Sequence, residues 1–211
     1  MKKYLLSALA LMASLVAVAQ PQSNPLPENV AYNARSMNSA QDVGRSFNNS
    51  PTFFIYPDSP LNEEAAKALV EELDVDKVAE QTHASTFVIN PVGEKYDNKA
   101  DFEAFVELYN RARSGNLKVI GIGNGATFVN TALAATDAAG HIAGILTIGG
   151  KTFKAPASSY GVPAYIAGKT AKSVAKPYIA INKATKDGDR YTNADEPLLC
   201  VVVNENTTAQ L

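Results

Sequence analysis

Beyond residue 50 the chain alternates two hydrophobic patterns. Short, nearly continuous apolar runs are separated by longer segments in which apolar residues recur every three or four positions. The first pattern marks strands buried on both faces, and the second marks amphipathic helices. Thr52-Phe53-Phe54-Ile55-Tyr56 is the first run, stopped by Pro57. A helix is predicted over 62–81, where Asn62 suits the cap, Glu63 and Glu64 suit the first turn, and Ala66, Leu69, Val70 and Leu73 share a face. Ser85–Ile89 is the next strand, followed by a helix over 98–113 that presents Phe102, Phe105, Val106 and Tyr109. Strands at Leu117–Ile122, Ile142–Ile148, 162–167 and 198–203 then alternate with helices over 125–135 and 176–184. The series predicts an α/β fold: a mostly parallel sheet with helices on both faces, in three layers.

The first fifty residues read differently. Lys2 and Lys3 precede an apolar run over 5–18, and Ala17-Val18-Ala19 is a small-x-small cleavage signal before Gln20. Residues 1–19 are therefore expected to be a secretory signal peptide. A membrane anchor is the alternative, but the run is short of the ~20 residues that a spanning helix needs. No cysteine follows it, which excludes bacterial lipoprotein attachment. The expected location is the periplasm or the extracellular space. Residues 20–50, rich in Asn, Ser, Gln and Pro, are expected to be a polar linker or a loosely packed entry segment.

Composition narrows the partners. A chain of 211 residues, 46% hydrophobic, supports one domain over 51–211. Lys+Arg of 19 against Asp+Glu of 21 gives a net charge of -2. Nothing in the pattern calls for nucleic acid, or for a membrane once the signal is removed. Lys169, Lys172, Lys176, Lys183 and Lys186 form a scattered basic stretch, read as a solvated helix face. Cys200, the only cysteine, is read as a small apolar core residue and not as a catalytic thiol.

The most informative stretch is Val119-Ile120-Gly121-Ile122-Gly123-Asn124-Gly125-Ala126, a buried strand running through a glycine turn into a helix. As G-x-G-x-x-A it matches a dinucleotide fingerprint. Two features count against that: the turn follows the third strand, and the next strand ends in Gly149-Gly150 with no acidic residue for a ribose. The same turn has the outline of a hydrolase nucleophile elbow, G-x-S-x-G. Asp101-Phe102-Glu103-Ala104-Phe105 precedes it, and a strand ending in Thr147-Ile148-Gly149-Gly150 and the segment Val162-Pro163-Ala164-Tyr165-Ile166-Ala167-Gly168 follow it. On these residues, from about 51 to 168, the chain resembles the α/β-hydrolase superfamily, and within it the secreted polyhydroxybutyrate depolymerase and feruloyl esterase group. The group's elbow serine is replaced here by Gly123.

The resemblance implies a nucleophile, then an acid, then a histidine along the chain. Gly123 brings no hydroxyl, and residues 168–173, where the acid is expected, hold no carboxylate. Asp187 and Asp189 lie in a Lys-Asp-Gly-Asp-Arg stretch that is more naturally a solvated turn. His83 and His141, the only histidines, both precede the strand after which the base should arrive, and both are read as loop residues. Without carboxylate help they are too few for a catalytic metal site, and no metal or cofactor is expected. The backbone N–H of Asn124 matches the family's oxyanion donor. Either it contacts a ligand oxygen, or Gly121, Gly123 and Gly125 serve tight strand–helix packing; both readings stand. The candidate ligand-binding residues are thus Gly121, Gly123, Asn124, Gly125, Thr127 and Tyr96. Tyr96 belongs to a polar loop with Glu94, Lys95 and Asp97 that also suits capping of the next helix.

The expected function is an exported α/β-hydrolase-like domain without catalysis, a pseudo-hydrolase or a binding module for a small ester, carboxylate or sugar. The alternative is a secreted carboxylic-ester hydrolase. Its missing groups would come from outside this chain, or from an unusual nucleophile such as Thr127 or Ser85. A structural or partner-binding protein has no positive signal. The pattern stops soon after the strand around Cys200 with no terminal helix, which leaves open that the C-terminal part of the domain is absent.

Overall fold

The computed structural model describes residues 26–34, 50–112, 114–156 and 160–206. The leader expected over 1–19 lies outside these residues. Among the described residues nine strands form one mixed sheet. In chain order they are β1 (Val30–Ala34), β2 (Thr52–Tyr56), β3 (Ser85–Ile89), β4 (Leu117–Ile122), β5 (Ile142–Ile148), β6 (Ala164–Ala167), β7 (Thr185–Asp187), β8 (Arg190–Thr192) and β9 (Val201–Asn204). Their spatial order is β1-β3-β2-β4-β5-β6-β9-β8-β7. The six central strands run parallel, while β1, β8 and β7 pair antiparallel at the two margins. The fold is α/β, and the antiparallel margins make its sheet mixed. β1 arises within the polar entry segment expected over 20–50, whose remaining residues are largely outside the description.

The apolar runs became strands with the expected bounds at β2, β3, β4 and β5. The helices departed further from pattern. The single helix expected over 62–81 is two, α1 (Glu63–Glu72), capped by Asn62, and α2 (Val75–Thr82), because Asp74 turns left-handed at φ 55 between them. α3 (Ala100–Ala112) lies close to the expected span. α4 (Asn124–Phe128) widens into a π-helix at Val129–Ala134.

The helix expected over 176–184 is α5 (Ala171–Ile181), which buries Ala171, Val174, Ala175 and Tyr178. It contains Pro177, which has no N–H to offer the Ser173 carbonyl one turn earlier. The Thr152 hydroxyl donates to that carbonyl instead, at 3.0 Å. The strand expected from 162 starts at Ala164, since Pro163 has no donor and Val162 is held by the Asn182 side chain, which bonds both its N–H and its carbonyl. Cys200 sits half-buried just ahead of β9, at the rim of the core.

The two faces of the sheet are packed unequally. One face carries the larger core, in which Phe54, Phe87, Leu117, Val119, Ile145, Ile166 and Val201 meet α3, α4 and α5 through residues such as Phe105, Leu108, Phe128 and Tyr178. On the other face Ile55, Val88, Ile120 and Ile122 pack under α1 and α2 through Ala66, Leu69, Val70 and Val75. That second core ends at Leu146. Beyond it no helix among the described residues covers Tyr165 and Val202, and Tyr165 is 37% exposed.

Candidate functional site

In an open α/β sheet, ligands gather outside the carboxyl ends of the parallel strands, where successive connections leave in opposite directions. Here that place lies between β2, whose chain proceeds to β3 on one side, and β4, whose chain proceeds to β5 on the other. The loop after β2 carries Asp58, and the turn after β4 carries Gly123. The two meet.

Gly123 has φ 54 and ψ -112, a conformation open to glycine and strained for other residues. Its N–H donates to Ile148 O at 2.9 Å, so the sheet ladder continues into the turn. A Cβ at residue 123 would overlap the Asp58 carboxylate. Asp58 Oδ1 accepts the Asn124 N–H at 2.7 Å, and the Asn124 side-chain amide donates to Asp58 O at 3.2 Å. The chain's own carboxylate therefore takes the donor that the sequence offered to a ligand. Asp58 was missed in the sequence, although an acidic residue just past the end of a central strand, in Pro57-Asp58-Ser59-Pro60, is a usable signal.

The other candidates divide. Gly121 and Gly125 are packing glycines: a Cβ at 121 would come 2.7 Å from Ala126 Cα, and one at 125 would strike the Tyr56 carbonyl. Thr127 is held in place, since its hydroxyl donates to Gly123 O at 3.2 Å and accepts the Lys151 N–H at 3.1 Å. It thereby fastens the segment after β5 to the turn. Tyr96 points inward, donating to Ile89 O at 3.0 Å and stacking on Phe128. Burial pushes its phenol up, with Tyr56, Asp101 and Asp58 adding to the effect. Glu94 and Lys95 are exposed. Asp97 caps α3 by accepting N–H groups of Ala100 and Lys99, which hold its carboxyl below the usual range.

None of the residues weighed as triad partners reaches the turn. His83 and His141 precede β3 and β5, which places both at the amino edge of the parallel strands, opposite the turn. His141 packs against the Tyr109 ring there. Ser85, at the start of β3, lies on the same far edge. Asp187 and Asp189 flank Gly188 in the β7–β8 hairpin, whose strands lie four and five spacings from β4, roughly 19 to 24 Å away. After β6 and β9, where the resemblance places an acid and a base, Lys172 and Glu205 form an ion pair. Among the described residues no group of three metal-binding side chains comes together, and no helix is long and apolar enough to cross a membrane.

Chemically, the site offers a carboxylate and an amide side chain over a rigid glycine turn. Asp58 and Asn124 are both exposed, and the buried Tyr56 and Phe128 rings pack with the half-buried Tyr96 ring nearby. No family model matches the chain, and no curated protein matches it in sequence.

Proposed function

We propose that this chain is an α/β-hydrolase-like domain that binds a small ligand without cleaving it. What carries this is the Asp58 carboxylate, which occupies the space above Gly123 and takes the Asn124 N–H. A hydrolase of this kind needs a nucleophile in that space and a free amide to receive the developing oxyanion. The parallel order β3-β2-β4-β5-β6-β9, with the glycine turn at the carboxyl end of a central strand, supports the kinship. The leader-like pattern of residues 1–19 supports export. Of the ester, carboxylate and sugar classes, a sugar or other polyhydroxyl compound suits the site best. An exposed carboxylate accepts from hydroxyls and repels an anion.

The test is an assay of the purified protein on short-chain nitrophenyl esters. The expected rate equals that of a heat-denatured control, and turnover above that control overturns the proposal. Gly123→Ser is expected to lower the melting temperature, because the new side chain meets Asp58 at a strained φ. Asp58→Gly combined with Gly123→Ser is expected to recover part of that loss and to stay inactive, since no histidine reaches the turn. Esterase activity in the double variant would show that a base is present after all. Thermal shift with neutral oligosaccharides is expected to exceed the shift with butyrate or ferulate. The reverse order would remove the polyhydroxyl assignment.

A further inference from the structure

The charges of this chain are segregated. From Thr52 to Asp137 the sequence holds 14 Asp and Glu against 7 Lys and Arg. Between Asp137 and Asp187 it holds seven lysines and no Asp, Glu or Arg. The near-neutral total conceals two oppositely charged stretches, and the fold sends them to different places.

The seven lysines gather around the solvent side of α5. Lys172 and Lys176 lie one turn apart on the helix, with Lys169 just before it and Lys183 just after it. All four are exposed, while Ala171, Val174, Ala175 and Tyr178 face the core. The strap that follows β5 is fastened alongside. Thr170 Oγ1 donates to Gly150 O at 3.2 Å, Thr152 Oγ1 donates to Ser173 O, and the Phe153 ring packs against Tyr178. Lys151 and Lys154 are thereby set beside the first turns of α5, both exposed. Lys186 on β7 stands across from Tyr191, which packs into the core under α5, so it flanks the same face. Among the described residues one of these lysines, Lys172, is ion-paired, to Glu205, and the exposed Asp187 and Asp189 bound the face at the hairpin beside Lys186.

We propose that this surface binds a linear acidic polysaccharide. A row of separate ammonium groups along a helix fits charges strung along an extended chain, and the fixed strap widens the row into a track. Single-stranded nucleic acid would call for exposed rings on which to stack bases, and the rings beside the lysines, Phe153 and Tyr191, are half-buried and packed against the core, Phe153 on Tyr178. A membrane surface would call for apolar side chains beside the lysines, and the neighbouring exposed positions are Thr152, Thr170, Ser173 and Ala180. The proposal is independent of the glycine turn.

The experiment uses the full chain, with polygalacturonate and dextran sulfate as probes and uncharged dextran as control. Binding to both polyanions and not to dextran is expected, with log affinity falling linearly as log salt rises. Lys154→Glu, Lys169→Glu and Lys176→Glu together, at an unchanged melting temperature, are expected to weaken binding by at least about tenfold. The same three positions as Gln serve should the reversed variant not fold. Glu205→Gln is expected to bind more tightly than the wild type. Equal affinity in wild type and variant overturns the proposal, as does retention on dextran. So does tighter binding to phosphatidylglycerol vesicles than to polysaccharide, or self-association that the lysine changes abolish in a protein that binds neither probe.

Discussion

Among the described residues the half of the sheet formed by β1, β3, β2 and β4 is packed on both faces, whereas the half formed by β5, β6, β9, β8 and β7 is packed on one. The handedness of the connections explains the difference. Parallel crossovers are right-handed, so the direction of travel across the sheet decides which face receives the connection. Only the step from β2 to β3 runs one way, and its helices α1 and α2 fall on the smaller core. The steps from β3 to β4, β4 to β5 and β6 to β9 all run the other way, and α3, α4 and α5 fall on the larger core. One reversal in strand order thus creates both the crevice beside Asp58 and the face around Tyr165 that no helix among the described residues covers.

The comparison can be broken by mutation. The largest effect is expected at Phe54, fully buried in the doubly packed half, where it meets Phe87 and Phe105 edge-on. Phe54→Ala is expected to cost about 3–5 kcal/mol in chemical denaturation. In the other half a buried side-chain bridge comes next. Asn182→Ala strips both partners from the buried Val162 backbone and is expected to cost about 2 kcal/mol, reading out as faster exchange of the Val162 amide. Smallest is Tyr165→Thr on the uncovered face, expected within about 0.5 kcal/mol of wild type. A loss as large as that at Phe54 would mean that the face is covered in solution and that the two halves are alike.

Much of this was legible before any coordinates. Strands β2 to β5 could be bounded from their apolar runs, because a strand buried on both faces cannot hide its composition. The glycine turn was legible because a sharp strand-to-helix junction demands glycine. The helix ends were harder. Asp74 breaks 62–81 by a left-handed turn that its neighbours tolerate, and α5 begins five residues early because Thr152 relieves the carbonyl that Pro177 orphans. β1 was hidden by its polar surroundings. An edge strand needs a partner such as β3 more than it needs an apolar sequence.

The amino-acid sequence by itself determined that this is an α/β chain, that its central turn has no nucleophile, and that its histidines precede the last strands. These are properties of residue type and order, and local physics suffices for them. The tertiary structure alone decided that Asp58, 66 positions away from Asn124, takes the amide that the turn exposes. It alone decided that the strap carrying Lys151 and Lys154 is fastened beside the helix that carries Lys172 and Lys176. Both depend on which strands lie side by side, and strand order is set by the packing of the whole sheet.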